Sequence, residues 1–252
     1  MDTETLPLVD KVAVVTGAGR GIGRAIARDW ARAGAAVALA SRTADELDRV
    51  AAEIAELGGR ALAVPTDVTD PDQVDALFAR TADELGGVDL VLANAGGTFP
   101  HTTVAEGDYD AWRATFLLNV DGVYLTARAA APRLRARGGG KLLVMGSGAG
   151  RRAGPGWGPY ASAKAAVSML VRVLAQELRG DHIAVNEIIP GPVHTELAHR
   201  IGPTLQGPGA PPGVATEWFK QPEDVAGVAR FLATLPDDGP TGQTFSLLGR
   251  DL

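Results

Sequence analysis

The chain contains no cysteine. That absence excludes disulfides, thiolate catalysis and zinc–thiolate sites together, and it suits a reducing compartment. A basic surplus is missing as well: the formal net charge of −6 offers no electrostatic footprint for nucleic acid or an anionic membrane. No apolar run approaches the ~20 residues needed to cross a bilayer. The opening "MDTETLPLVD" is acidic and lacks the charged-then-apolar pattern of a secretory signal. We expect a cytoplasmic protein whose partners include neither nucleic acid nor membrane.

What the chain does contain is a regular alternation. At 252 residues and 46% hydrophobic it can bury a substantial core. The apolar or β-branched runs "KVAVVTG", "AAVALAS", "ALAVPTD", "VDLVLANAG", "KLLVMGS", "IAVNEII" and "QTFSLL" alternate with helix-like segments. Leu47, Val50, Ile54 and Leu57 share a helical face, and Asp70 with Pro71 reads as a helix cap and first turn. The pattern predicts an α/β fold, a parallel sheet of seven strands with about six helices. No linker, composition shift or internal repeat divides it, so residues 1–252 are read as a single domain. The Gly/Pro-rich "IGPTLQGPGAPPGVATEW" interrupts this regularity and predicts a mobile surface segment over about residues 195–220, a lid or a loose loop.

In "VVTGAGRGIGRAIA" a strand ends in a glycine turn and a helix begins. Gly17, Gly21 and Gly23 would allow a tight turn, close approach to a pyrophosphate, and helix–strand packing. Arg20 and Ile22 lie within this turn, whose helix N-terminus offers amide donors to phosphate. Where an acidic residue at the end of the second strand would bind the ribose hydroxyls of NAD, the chain has Ser41 and Arg42. Arg42 and Arg20 are suited to a 2′-phosphate, or are solvated surface charges. NADP(H) is therefore favoured over NAD(H). Asp45 reads as part of the opening of the next helix.

"GPYASAKAAVSM" puts Tyr160 and Lys164 four residues apart, on one helical face. With the glycine turn, "ANAG" at residues 93–96, Asn119, and Ser147 thirteen positions before Tyr160, the chain resembles the short-chain dehydrogenase/reductase family. The resemblance runs from the first strand to "TGQTFSLLG" and leans towards 3-oxoacyl-carrier-protein reductase-like members. It implies a Rossmann-like doubly wound sheet with helices on both faces. Tyr160 would then be the general acid that protonates a carbonyl oxygen during hydride delivery. A phenol ordinarily titrates near pH ~10, so Lys164 would favour the phenolate by its charge and also bind the nicotinamide ribose.

The same resemblance makes Ser147 the anchor of the substrate oxygen and gives Asn119 a water linking Lys164 to solvent, although a Ser in a glycine turn and a helical Asn have ordinary structural roles too. It assigns Asp67 and Val68 to adenine, Asn94, Ala95 and Gly96 to the nucleotide wall, and Pro190, Gly191, Val193 and Thr195 to the nicotinamide. Asp67 has capping as an alternative, and Pro190–Gly191 simple chain reversal. Departures are Gly146, where a second Ser often stands, Ala93 in place of a frequent Asn, and "LLGRDL" in place of a paired glycine near the end.

The substrate walls are expected from Gly97, Thr98, Ser147, Gly148, Ala149, Trp157, His194 and Trp218. The two Trp residues suggest an apolar or ring-bearing ketone, or pack loops onto the body. His194 and His199 miss the i, i+4 spacing of a helical zinc pair, so no metal is expected. The expected activity is NADPH-dependent reduction of a small-molecule ketone, a β-ketoacyl or related apolar or cyclic one. An NAD-linked alcohol dehydrogenase working oxidatively and a non-catalytic NADPH sensor are the rivals. The family further implies a homo-oligomer, a tetramer or dimer, built on the long helices carrying Asn119 and Tyr160.

Overall fold

The runs of small and β-branched residues become strands because each is buried on both faces of one sheet. In the computed structural model, which describes residues 6–97, 102–152, 154–196, 198 and 217–249, β1 (Val12–Thr16) is buried at every position. It is flanked by β2 (Ala36–Ser41) and β4 (Leu90–Ala93), with β3 (Arg60–Pro65) outside β2. On the other side β5 (Gly140–Met145), β6 (Ile183–Ile189) and β7 (Thr244–Ser246) follow. The order is β3-β2-β1-β4-β5-β6-β7, every pairing parallel. All seven expected strands form.

Helices cover both faces. Ile26 and Trp30 of α1 (Gly21–Arg32), Leu47, Val50 and Ile54 of α2 (Ala44–Glu56) and Leu232 of α7 (Pro222–Thr234) make one apolar layer. Val74, Leu77 and Phe78 of α3 (Pro71–Leu85), Leu134 of α5 (Gly122–Ala136) and Val167 and Val171 of α6 (Gly158–Glu177) make the other. The Asp70 carboxylate accepts hydrogen bonds from the amides of Asp72 and Gln73, with Pro71 in the first turn as expected. Between α4 (Tyr109–Phe116) and α5 the helix continues through a π turn, Leu117–Asp121, which carries Asn119. Counting that run as one gives six α-helices among the described residues, none long and apolar enough to cross a membrane.

The sheet order reverses between β1 and β4, and both strands end at the same edge. At such a switch point the loops after neighbouring strands diverge and leave a crevice. Asn94 ties its floor: its side-chain amide donates to the Thr16 carbonyl at 2.9 Å, and its backbone amide donates to Thr16 Oγ1 at 3.0 Å. Residues 201–216, the centre of the expected surface segment, lie outside the described residues. Its far end is tied down, since Lys220 pairs with Val193 in a parallel bridge.

Candidate active site

A pocket of about 390 Å³ opens over the carboxyl ends of the strands, lined from the glycine turn at one end to Trp157 at the other. At the first end, Gly17 and Gly21 take positive φ, 65° and 55°, which a side chain would resist. Gly23 is not in the lining; it packs beneath, where a Cβ would collide with the Gly17 carbonyl oxygen. The turn thus presents bare backbone and the N-terminus of α1 to the cavity, a cradle that fits a pyrophosphate. Arg20, Ile22, Ser41, Arg42, Asp67 and Val68 line this half. The Asp67 carboxylate accepts from the Thr69 amide and hydroxyl, which makes it a turn former, while the α3 cap is Asp70.

Sequence reasoning missed a carboxylate here. Glu46, in the first turn of α2, also lines the pocket, and a Cβ on Gly19 would meet Glu46 Oε2 at 2.5 Å and Ser41 Oγ at 3.1 Å. Its neighbour Asp45 is exposed in the same helix opening, as expected. Arg20 Nη1 lies 3.6 Å from Glu46 and donates to Glu196 at 2.7 Å. A helix's first turn folds back over the strand it follows, so a residue five positions past Ser41 was the available signal.

In the middle, Asn94, Ala95 and Gly96 form one wall, and Pro190, Gly191, Val193 and Thr195 the opposite loop. Thr195 Oγ1 accepts from the Ala198 amide, and its methyl carbon would lie 3.3 Å from a Cβ on Gly21. Asn119 does not line the cavity. It is fully buried behind it, where Nδ2 donates to the carbonyls of Gly97 and Thr115 and Oδ1 accepts from the Gly97 amide. Both Asn119 Oδ1 and Lys164 Nζ face Gly96, 2.9 and 3.6 Å from the position of a Cβ there.

At the far end stand Ser147, Tyr160 and Lys164. Ser147 caps a short 3-10 turn, Gly148–Gly150, by accepting from the Ala149 amide at 3.2 Å. Lys164 Nζ lies 5.8 Å from the centre of the Tyr160 ring and donates to the Met145 carbonyl at 2.9 Å. Burial pushes the Tyr160 phenol above its ordinary value, opposed by its hydrogen bond with Ser147. This differs from the expectation that Lys164 would draw the phenol towards phenolate. Burial also lowers Lys164 to about 8, with Glu187 opposing the drop. Both groups therefore favour their neutral forms more than they would in water, because a buried charge loses hydration.

Gly97, Gly148, Ala149 and Trp157 line this end together with Leu118, Arg152 and Leu248, which the sequence did not single out. Leu248, from the altered C-terminal stretch, contacts the sites a Cβ would take on Gly148 and Gly191, at 2.9 and 3.0 Å. Two expected walls are not in this lining. Trp218 is 61% exposed with its ring against Lys220, and exposed His194 packs on Phe219, ring centres 5.4 Å apart. The Val193–Lys220 bridge joins the two short stretches that carry them. Thr98 and His199 lie outside the described residues.

The short chain dehydrogenase family model matches residues 11–206, which include every described lining residue of this pocket except Leu248. The chain belongs to that family. Among relatives of this short-chain dehydrogenase are a 3-oxoacyl-[acyl-carrier-protein] reductase of Synechocystis, 35% identical over 96% of this chain and 97% of its own, and an NADPH-dependent aldehyde reductase-like chloroplastic protein of Arabidopsis thaliana, 38% identical over 76% of each chain. A solved 7 alpha-hydroxysteroid dehydrogenase, complexed with NADH and 7-oxo glycochenodeoxycholic acid, superimposes with a TM-score of 0.87 at 33% identity, covering 99% of this chain and 97% of that one. Oxidoreductase chemistry at CH–OH or C=O groups with a nicotinamide cofactor follows from family membership.

Proposed function

We propose that this short-chain dehydrogenase is an NADPH-dependent reductase that converts a small-molecule ketone to a secondary alcohol. The observation that carries the reading is the meeting of Ser147, Tyr160 and Lys164 at one end of a pocket whose other end is a glycine cradle flanked by Arg20 and Arg42. The cradle would hold the pyrophosphate, Asp67 and Val68 the adenine, and Lys164 the nicotinamide ribose. Asn94, Ala95 and Gly96 would support the nucleotide, and Pro190, Gly191, Val193 and Thr195 the nicotinamide itself. Once bound, the cofactor would be the source of the hydride for the carbonyl carbon.

Tyr160 gives the balancing proton to the carbonyl oxygen. Burial holds that proton on the phenol and works against its release, so the charge of Lys164 has to offset it, and Ser147 hydrogen-bonds the same carbonyl oxygen to fix its distance. Lys164, beside the phenol, stabilises the negative charge left when the proton departs. Asn119 would hold a water that links Lys164 to solvent for proton supply, and Oδ1 is the atom left to hold it because Nδ2 is engaged by the carbonyls of Gly97 and Thr115.

A specific observation favours a second reading of the cofactor. The Glu46 carboxylate beside Gly19 and Ser41 could accept from ribose hydroxyls, as an NAD enzyme requires, and would repel a 2′-phosphate. Arg20 and Arg42 favour NADPH, with Glu46 and Glu196 as the carboxylates a 2′-phosphate would meet there. The apolar lining from Leu118, Trp157 and Leu248 supports an apolar or cyclic ketone. Self-association through α5 and α6 is part of the proposal, supported by exposed Tyr124, Met169 and Val173 on those helices. The decisive experiment follows reduced-nicotinamide absorbance across a ketone panel with NADPH and NADH in parallel, Tyr160→Phe beside wild type. Turnover lost with that hydroxyl supports the reductase; cofactor binding with no turnover on any ketone favours a sensor.

A further inference from the structure

One buried titratable side chain has no part in the chemistry above. Glu187, in the interior of β6, is 1% exposed. A carboxylate so placed is costly unless its oxygens are fully engaged. Oε2 accepts from Arg151 Nη2 at 2.9 Å and from Thr244 Oγ1 at 2.7 Å, and Oε1 accepts from Ser168 Oγ at 2.6 Å. β5, β6, β7 and α6 therefore meet at one carboxyl group, opposite Val144 and Thr244 in the parallel registers.

The Oε1 side faces the reaction centre. Ser168 follows Lys164 by four residues, as Lys164 follows Tyr160, so the three share one stripe of α6. A Cβ on Gly146 would collide with Glu187 Oε1, so this carboxylate fills the space where a side chain at 146 would stand. Lys164 Nζ donates to the Met145 carbonyl, the acceptor of the peptide joining Met145 to Gly146. Carboxylate and ammonium thus close on the same peptide.

We propose that Glu187 is a positioning residue for Tyr160 and Lys164: through Ser168 and against Gly146 it fixes α6 on β5, and it sets a negative charge beside the Lys164 ammonium. The inference rests on the reading of Tyr160 and Lys164 as the proton-donating pair.

The groups facing Lys164 are Tyr160 from its own helix, Asn119 from the π turn, the Met145 carbonyl from β5 and Glu187 from β6. Of these only Glu187 is an acidic side chain, and it opposes the burial that drives Lys164 downward. Arg151 engages the other carboxylate oxygen, which leaves Oε1 towards α6. A carboxylate serving the packing alone would need its hydrogen bonds but not its charge, and that difference can be measured.

The test follows the lysine side-chain NMR signals of cofactor-free protein against pH, Lys164 being assigned by Lys164→Arg. Glu187→Gln keeps size and removes the charge, its amide oxygen still able to accept from Arg151 and Thr244 while its NH2 donates to Ser168 Oγ in place of the bond now accepted there. Its Lys164 should titrate about one pH unit or more below wild type, and the matching limb of the kcat–pH profile should move with it while KM changes little. Ser168→Ala keeps the charge and should lower stability without moving the titration. Arg151→Gln frees the carboxylate of its counter-ion and should move Lys164 upward, the opposite sign. A folded Glu187→Gln protein with Lys164 titrating as in wild type overturns the proposal. If that variant does not fold, Arg151→Gln decides, and a null or downward shift overturns it. Shifted titrations beside an unchanged kcat profile would instead overturn the assignment of Lys164 to proton transfer and leave the Glu187–Lys164 coupling standing.

Discussion

Arg20 on the glycine turn donates to the Glu196 carboxylate at 2.7 Å, joining over the pocket mouth two loops 176 residues apart in sequence. Both side chains are more than half exposed, so the pair adds little to stability. Its consequence is for binding, because an incoming 2′-phosphate must compete with Glu196 and Glu46 for the same guanidinium. Arg20→Ala and Arg42→Ala are each expected to weaken NADPH about tenfold while leaving NADH nearly unchanged. Glu46→Gln should shift preference further towards NADPH. Fluorescence titration of both cofactors reads all three, and equal losses for both would remove the arginines from the 2′ site.

Tyr160→Phe deletes one hydroxyl from a ring packed beside Trp157, ring centres 6.1 Å apart. Turnover of a responsive ketone should fall by roughly 10²–10⁴-fold with cofactor affinity within about twofold of wild type. A drop confined to KM would mean the phenol serves binding and not proton transfer.

Asn119→Leu keeps the branched outline of the amide, with bulkier methyl groups, and abolishes its hydrogen bonds. The Gly97 amide and the carbonyls of Gly97 and Thr115 then lose their partner, Thr115 in a fully buried setting and Gly97 in a half-buried one. Stability should fall by about 1–3 kcal/mol in denaturant titrations, and hydrogen exchange at Gly97 should speed up.

Gly23→Ala places a Cβ onto the Gly17 carbonyl oxygen, and backbone cannot rotate aside as a side-chain tip would. Overpacking of this kind typically costs about 1–3 kcal/mol. Because the displaced atom belongs to the cradle, cofactor binding should be lost in protein that still folds, measurable by calorimetric titration.

Lys164 makes stability depend on pH in an unusual direction. Its folded value of about 8 lies below its ordinary 10.5. Between those values the unfolded chain binds the proton that the folded chain has released, so stability rises with pH there, and the burial cost is fully present below 8. The raised Tyr160 phenol acts oppositely above pH 10, where the folded chain keeps a proton the unfolded chain loses. The stability of wild type relative to Lys164→Met should therefore climb from pH 8 towards pH 10. A flat difference would place Lys164 at its ordinary value.

Everything that depends on short sequence spacing was legible without coordinates. Seven apolar runs separated by helical periods dictate a parallel sheet, because only strands covered on both faces can be so uniformly apolar. The glycine turn and the Tyr160–Lys164 spacing specify local shapes that no distant residue needs to complete. Tertiary structure decided the electrostatics. Glu46 and Glu196 meet Arg20, Glu187 occupies the space beside Gly146, and Leu248 closes on Gly148, contacts between elements far apart in the chain. Burial, too, is a property of the assembled layers. It raised the Tyr160 phenol where spacing to Lys164 predicted the reverse, and His194 against Phe219 and Trp218 against Lys220 are absent from a pocket lining that their place in the sequence had given them.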